Sequence, residues 1–137
     1  MFENVVVGAT DSRGSARAMR RAFEVARVSG GTLHVVTAFR HKRLRRPPVS
    51  LGRGHLPSSS DSAEAFLDSF RTMAARESVR VEMHPVASDP VEAITRVAAE
   101  EDADLIVVGS NGAGGARHLS RVPKGVMDTA GCAVLVV

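Results

Sequence analysis

Four nearly unbroken apolar runs punctuate the chain: NVVVGA (4–9), TLHVVTAF (32–39), DLIVVG (104–109) and CAVLVV (132–137). The first three, short and without alternation, predict buried strands, and the last ends the chain as a further strand. A fifth stretch, VRVEMHPVA (79–87), alternates Val79, Val81 and Met83 with Arg80, Glu82 and His84. Alternation leaves one face wetter and predicts an edge strand. The segments between these runs change to helical spacing. After the first run, Ala18, Ala22, Val25 and Ala26 form one stripe, and Arg17, Arg20, Arg21 and Glu24 fill the other face. Asp11, Ser12 or Ser15 is placed to cap that helix, and Gly30–Gly31 ends it. DSAEAFLDSFRTMAARES (61–78) carries Phe66, Phe70, Met73 and Ala74 at core spacing, with Asp61 and Glu64 forming a capping box. SDPVEAITRVAAEEDA opens with Asp89 as N-cap, Pro90 at N1 and Glu92 at N3, and turns Ile94, Val97 and Ala98 inward. A last short helix over about 121–130 places Val122, Val126 and Ala130 on one face. The order β-α-β-α-β-α-β-α-β predicts one α/β domain over 1–137, with a parallel sheet covered by helices on both faces.

Charge adds one feature to this picture. Residues 40–60, RHKRLRRPPVSLGRGHLPSSS, carry five Arg and one Lys and no acid, while the whole chain is only +3. The basicity belongs to this loop, and Pro47–Pro48, its glycines and its serine run argue against regular structure there. It contains no Phe, Tyr or Trp on which a base could stack, so nucleic-acid binding is not expected. The 44% apolar and 24% charged composition fits a globular protein. No apolar run approaches the ~20 residues of a membrane span. The segment MFENVVVG has neither the basic nor the long apolar region of a signal peptide, so a cytoplasmic location is expected. The single Cys132 has no disulfide or CxxC partner. His34 and His84 show no ligand spacing and read as core and edge histidines, so no metal site is expected.

The segment GSNGAGGARHLSRVPKG (109–125) places four glycines within seven residues after a buried strand. Glycines let backbone N–H groups approach an anion, and the next helix adds its positive end. The spacing is not a Walker loop, which needs GxxxxGK and then Ser or Thr, nor a dinucleotide fingerprint after a first strand. Its context is more telling. NVVVGATDSRGSARAMRRAFEVARVSGGTLHVVTAF, SDPVEAITRVAAEEDADLIVVGSNGAGG and VPKGVMDTAGCAVLVV stand in this order along nearly the whole chain. In these blocks the protein resembles the small single-domain form of the universal stress protein family. The resemblance implies a doubly wound, adenine nucleotide alpha hydrolase-like fold with a five-stranded parallel sheet in the order 3-2-1-4-5. It also implies a regulatory or stress-response role. Some members bind ATP or related nucleotides and others do not.

A strand order of this kind puts the loops after strands 1 and 4 at a switch point, where ligands of open α/β sheets bind. The nucleotide site that the resemblance implies comprises Ala9, Thr10, Asp11, Thr37, Gly109, Asn111, Gly112, Gly114, Ser120, Arg121 and Val122. Its ligand would be ATP or AMP with Mg²⁺. Two positions depart from the family pattern. Ser120–Arg121 stands where Gly-Ser or Gly-Thr is usual, and Thr10 takes the place of an Asp, with Asp11 one residue late. An Arg fork at 121 can grip phosphate in place of the hydroxyl, or fill the pocket. The alternatives are a non-nucleotide-binding dimeric scaffold with a degenerate pocket and a weak phosphohydrolase. No GxSxG elbow accompanies Ser12, Ser15 or His118, so catalysis is not expected. Finally, VLVV ends the sheet edge with no charge or proline. Pairing through Val134, Leu135 and Val136 with a second copy would cover that edge, and the resemblance points to the same homodimer.

Overall fold

The computed structural model describes residues 1–9, 13–39, 68, 70–72, 74–110 and 121–137. Within these the chain runs β1 (Asn4–Gly8), α1 (Arg13–Ser29), β2 (Thr32–Ala38), β3 (Arg80–Val86), α2 (Pro90–Glu100), β4 (Leu105–Val108), α3 (Arg121–Thr129) and β5 (Ala133–Val136). Residues 68, 70–72 and 74–77 are also helical and lead into β3. The strands form one parallel sheet in the order β3-β2-β1-β4-β5, as the sequence pattern and the resemblance imply. The basic segment 40–60, the capping box at Asp61 and Glu64, and Phe66 and Met73 lie outside the described residues.

The apolar runs of β1, β2 and β4 are nearly unbroken because these strands are covered on both faces. Val5, Val7, Leu33, Val35, Leu105 and Val107 pack against Ala18, Met19, Ala22, Phe23 and Ala26 of α1. On the opposite face Val6, Val36, Ile106 and Val108 pack against Ala93, Ile94 and Val97 of α2 and Val126 of α3. The stripe of α1 is broader than its alanines suggest. Met19 and Phe23 are buried within it, and Val25 is only partly covered. The alternating strand β3 lies at one edge and β5 at the other, where Ala133 and Leu135 are exposed.

Helix ends follow one local rule. The Asp89 side chain accepts from the backbone N–H of Val91 and Glu92, as its place before Pro90 predicts. Ser15, by contrast, is not a cap. It lies inside α1, and its hydroxyl donates back to the Gly8 carbonyl at 3.3 Å. The exits toward β2, β3 and β4 all pass through one left-handed residue: Gly30 (φ 68°), Ser78 (φ 56°) and Asp102 (φ 49°). In each case the next N–H reaches back five residues, Gly31 to Ala26, Val79 to Ala74 and Ala103 to Ala98. This is the Schellman arrangement, which satisfies orphan carbonyls while turning the chain toward the sheet.

One carboxylate fastens the start of two central strands. Asp104 Oδ2 accepts from the N–H of Glu3 at 2.6 Å and of Asn4 at 2.9 Å, while Asp104 N–H donates to the Asn4 carbonyl. The hydrogen bonds from Asn4 and then Glu3 hold its carboxyl below the usual range.

Candidate functional site

The chain leaves β1 into α1 on one face of the sheet and leaves β4 toward α3 on the other. Adjacent strands whose crossovers diverge open a crevice at their carboxyl ends. Ala9 continues from β1, buried, with its N–H on the Val36 carbonyl at 2.8 Å. Gly109 and Ser110 continue from β4. Ser110 donates both its N–H and its hydroxyl to the Val137 carbonyl, each at 2.8 Å, and so joins this loop to the end of the β5 edge. From α1, Arg17 reaches the Ser110 carbonyl at 3.5 Å. Thr37, near the end of β2, is 1% exposed, and its hydroxyl has no hydrogen-bond partner among the described residues.

Arg121 opens α3, followed by the half-buried Val122. Its guanidinium meets Asp89 Oδ1 at 2.9 Å, while Asp89 Oδ2 caps α2. The two oxygens therefore divide their work, and the N-termini of α2 and α3 are tied together. With 84% of its side chain exposed, Arg121 is turned largely to solvent. An exposed pair of this kind contributes only about 0–1 kcal/mol. Thus Ala9, Thr37, Gly109, Arg121 and Val122 are all placed at the carboxyl-end side of the sheet. Thr10, Asp11, Asn111, Gly112, Gly114 and Ser120 lie outside the described residues.

A second cluster lies at the other end of the strands. His34 on β2 is 1% exposed. Its Nδ1 is 3.0 Å from Nε2 of His84 on β3, and its Nε2 is 3.0 Å from Asn4 Oδ1 on β1. Glu82 Oε2 lies 3.4 Å from His34 Nδ1 and 3.9 Å from His84 Nε2. Glu101, the C-cap of α2, completes the group, and one donor atom from each of the four residues lies within 4.8 Å of the others. Burial first, and then the neighbouring His84, hold the His34 imidazole below its ordinary pKa, against the opposing pull of Glu82 and Glu101. The histidines are core and edge residues, as the sequence suggests, but they are not separate. The available signal was modest. His34 interrupts an apolar run, and Glu82 and His84 share a face of an alternating strand. Their meeting depends on the register of β2 against β3, which pairs His34 with Glu82 and Val36 with His84.

The strand order, with the crossovers from β1 and β4 on opposite faces, defines a doubly wound α/β protein of the adenine nucleotide alpha hydrolase-like type. The model of the universal stress protein family matches residues 1–137, and the chain belongs to that family. It is 30% identical to Universal stress protein Rv1636 of Mycobacterium tuberculosis over 141 aligned positions, covering 99% of this chain and 96% of the relative. A solved universal stress protein in complex with cAMP is similar at 30% identity and a TM-score of 0.73, with 99% of this chain and 96% of that one covered. The universal stress protein of Archaeoglobus fulgidus in complex with dAMP shares the fold at 23% identity and a TM-score of 0.70, with 99% and 97% covered. Among the described residues no helix is long and apolar enough to cross a membrane.

Proposed function

We propose that this protein is a regulatory, nucleotide-sensing member of its family that binds an adenine nucleotide in the crevice beyond β1 and β4. The observation that carries the reading is the Thr37 hydroxyl at the strand ends, buried and without a partner among the described residues. A buried hydroxyl without a partner costs about 1–3 kcal/mol, and a bound ligand can supply the missing bond. The cAMP complex of the 30% identical universal stress protein supports the same ligand class. Arg121 is the phosphate ligand at the start of α3. Its exposed contact with Asp89 is weak enough to exchange for a phosphate, and the helix N-terminus adds favourable charge. This reading assigns Ala9, Thr10 and Asp11 to the base end and Gly109, Asn111, Gly112, Gly114, Ser120 and Val122 to the phosphates. The nucleotide supplies a signal and not a reaction in this reading.

Thermal melting with millimolar cAMP, AMP or ATP, each with and without Mg²⁺, tests it. A ligand at about 100 times its Kd adds about 2.7 kcal/mol, a rise of several degrees in Tm. Thr37→Val is expected to stabilise the ligand-free protein by roughly 1 kcal/mol, because it removes an unsatisfied hydroxyl, and to shrink the nucleotide-induced rise. Silence with all three nucleotides would withdraw the reading in favour of an interaction scaffold. A full-sized rise in Thr37→Val would remove Thr37 from the site.

The exposed β5 edge supports a second element of the proposal, a homodimer. Val134 and Val136 pack into the core, while Leu135 stays 38% exposed, and β5 pairs only with β4 among the described residues. A second copy aligned along this edge would satisfy its free backbone groups. Sedimentation at micromolar concentration should show a dimer, weakened by Leu135→Lys. A wild-type monomer would refute it.

A further inference from the structure

We infer that His34, Glu82, His84 and Glu101 form a binding site for a divalent transition-metal ion of the zinc type, at the end of the sheet opposite the nucleotide crevice. The donor set is two imidazole nitrogens and two carboxylates, which suits tetrahedral Zn²⁺. Bonds of about 2.0–2.1 Å in a tetrahedron place neighbouring donor atoms about 3.3 Å apart. The three separations among His34 Nδ1, His84 Nε2 and Glu82 Oε2 are 3.0, 3.4 and 3.9 Å. They bracket that spacing before any ion pulls the donors in.

Three further features fit a cation. With both imidazoles neutral, the four groups carry two negative charges, which one divalent ion balances. Glu101 caps the C-terminal end of α2, where the partial negative charge of the helix favours a cation. Asn4 Oδ1 accepts the Nε2–H of His34, which leaves the lone pair of Nδ1 facing the cluster. Metal-ligating histidines are oriented in this way by an acceptor on the far nitrogen. In the metal-free protein the Nε2–H of His84 donates to His34 Nδ1. With metal bound, His84 holds its proton on Nδ1 instead, and the ion stands where that hydrogen bond was. Four protein donors leave no open position, so the site is of the structural or regulatory kind. It would fasten the end of α2 to the edge strand β3 through β2.

Titration of the full chain with Co²⁺ and Zn²⁺ tests the assignment without reference to nucleotide. One equivalent of Co²⁺ should give the visible absorption of a four-coordinate site, and Zn²⁺ should displace it and raise Tm by several degrees. His84→Ala and Glu82→Gln alter partly or mostly exposed side chains, and both should lose the spectrum and the Zn²⁺-dependent rise. Asn4→Ala should weaken Zn²⁺ by about 10–100-fold. Failure of the wild type to bind either ion at micromolar concentration would overturn the site. So would undiminished binding in both His84→Ala and Glu82→Gln, which would place the metal elsewhere on the chain.

Discussion

Ile106→Ala is expected to destabilise the protein by about 2–5 kcal/mol and to lower Tm by on the order of 10 °C. Ile106 is 0% exposed in the middle of β4. Register places it between Val6 of β1 and Val134 of β5, so hydrogen-bonded strands hold both sides. Its side chain belongs to the core shared with Ile94 and Val97 of α2 and Val126 of α3. A cavity there cannot close without moving the sheet, and the cost of a truncation grows with the cavity that remains. Urea denaturation of Ile106→Ala, with Leu135→Ala as a control on the exposed edge, measures the difference. A loss below about 1 kcal/mol at Ile106 would mean that this face of the sheet repacks freely.

Gly31→Val should cost about 3 kcal/mol or more, for a different reason. A Cβ at Gly31 would stand 2.2 Å from the Phe2 carbonyl oxygen and 2.9 Å from that of Glu3. Both obstacles are backbone, so no rotamer change relieves them. The adjacent Thr32 N–H donates to the same Glu3 carbonyl at 2.9 Å, and the start of β1 is further held by Asp104. The substitution therefore pushes the α1–β2 turn away from the strand that carries Asn4, the residue that orients His34. Gly30→Asn separates crowding from backbone conformation. Gly30 is left-handed at φ 68° but has nothing within 4 Å of a built Cβ. Its replacement should cost only about 1 kcal/mol. Equal losses in the two variants, measured by denaturant unfolding, would contradict the steric account.

The site was less legible than the fold, and particular residues show why. Asp89 was readable as a cap because its partners, Val91 and Glu92, are two and three residues away. The hold of Arg121 on the same carboxylate crosses 32 residues and two helices, and no local spacing announces it. Thr37 could be placed in the strand but not known to lack a partner, since that depends on every neighbour packed around it. Met19 and Phe23 were hidden by a wider apolar stripe than the alanine spacing implied.

Periodicity and punctuation along the chain were enough for the described elements and a parallel sheet, while the strand order and the family came from the resemblance carried by the motif blocks. Whether a segment is apolar on one face, on both or on neither is encoded within a few residues, and so are the signals that start and stop a helix. The meeting of His34, Glu82, His84 and Glu101 is of another kind. It follows from how β2 aligns with β3 and where α2 ends against them, and a slip of one residue would turn the β3 side chains to the opposite face. Packing of the two cores sets that alignment, so the chemistry it assembles exists only in the folded sheet.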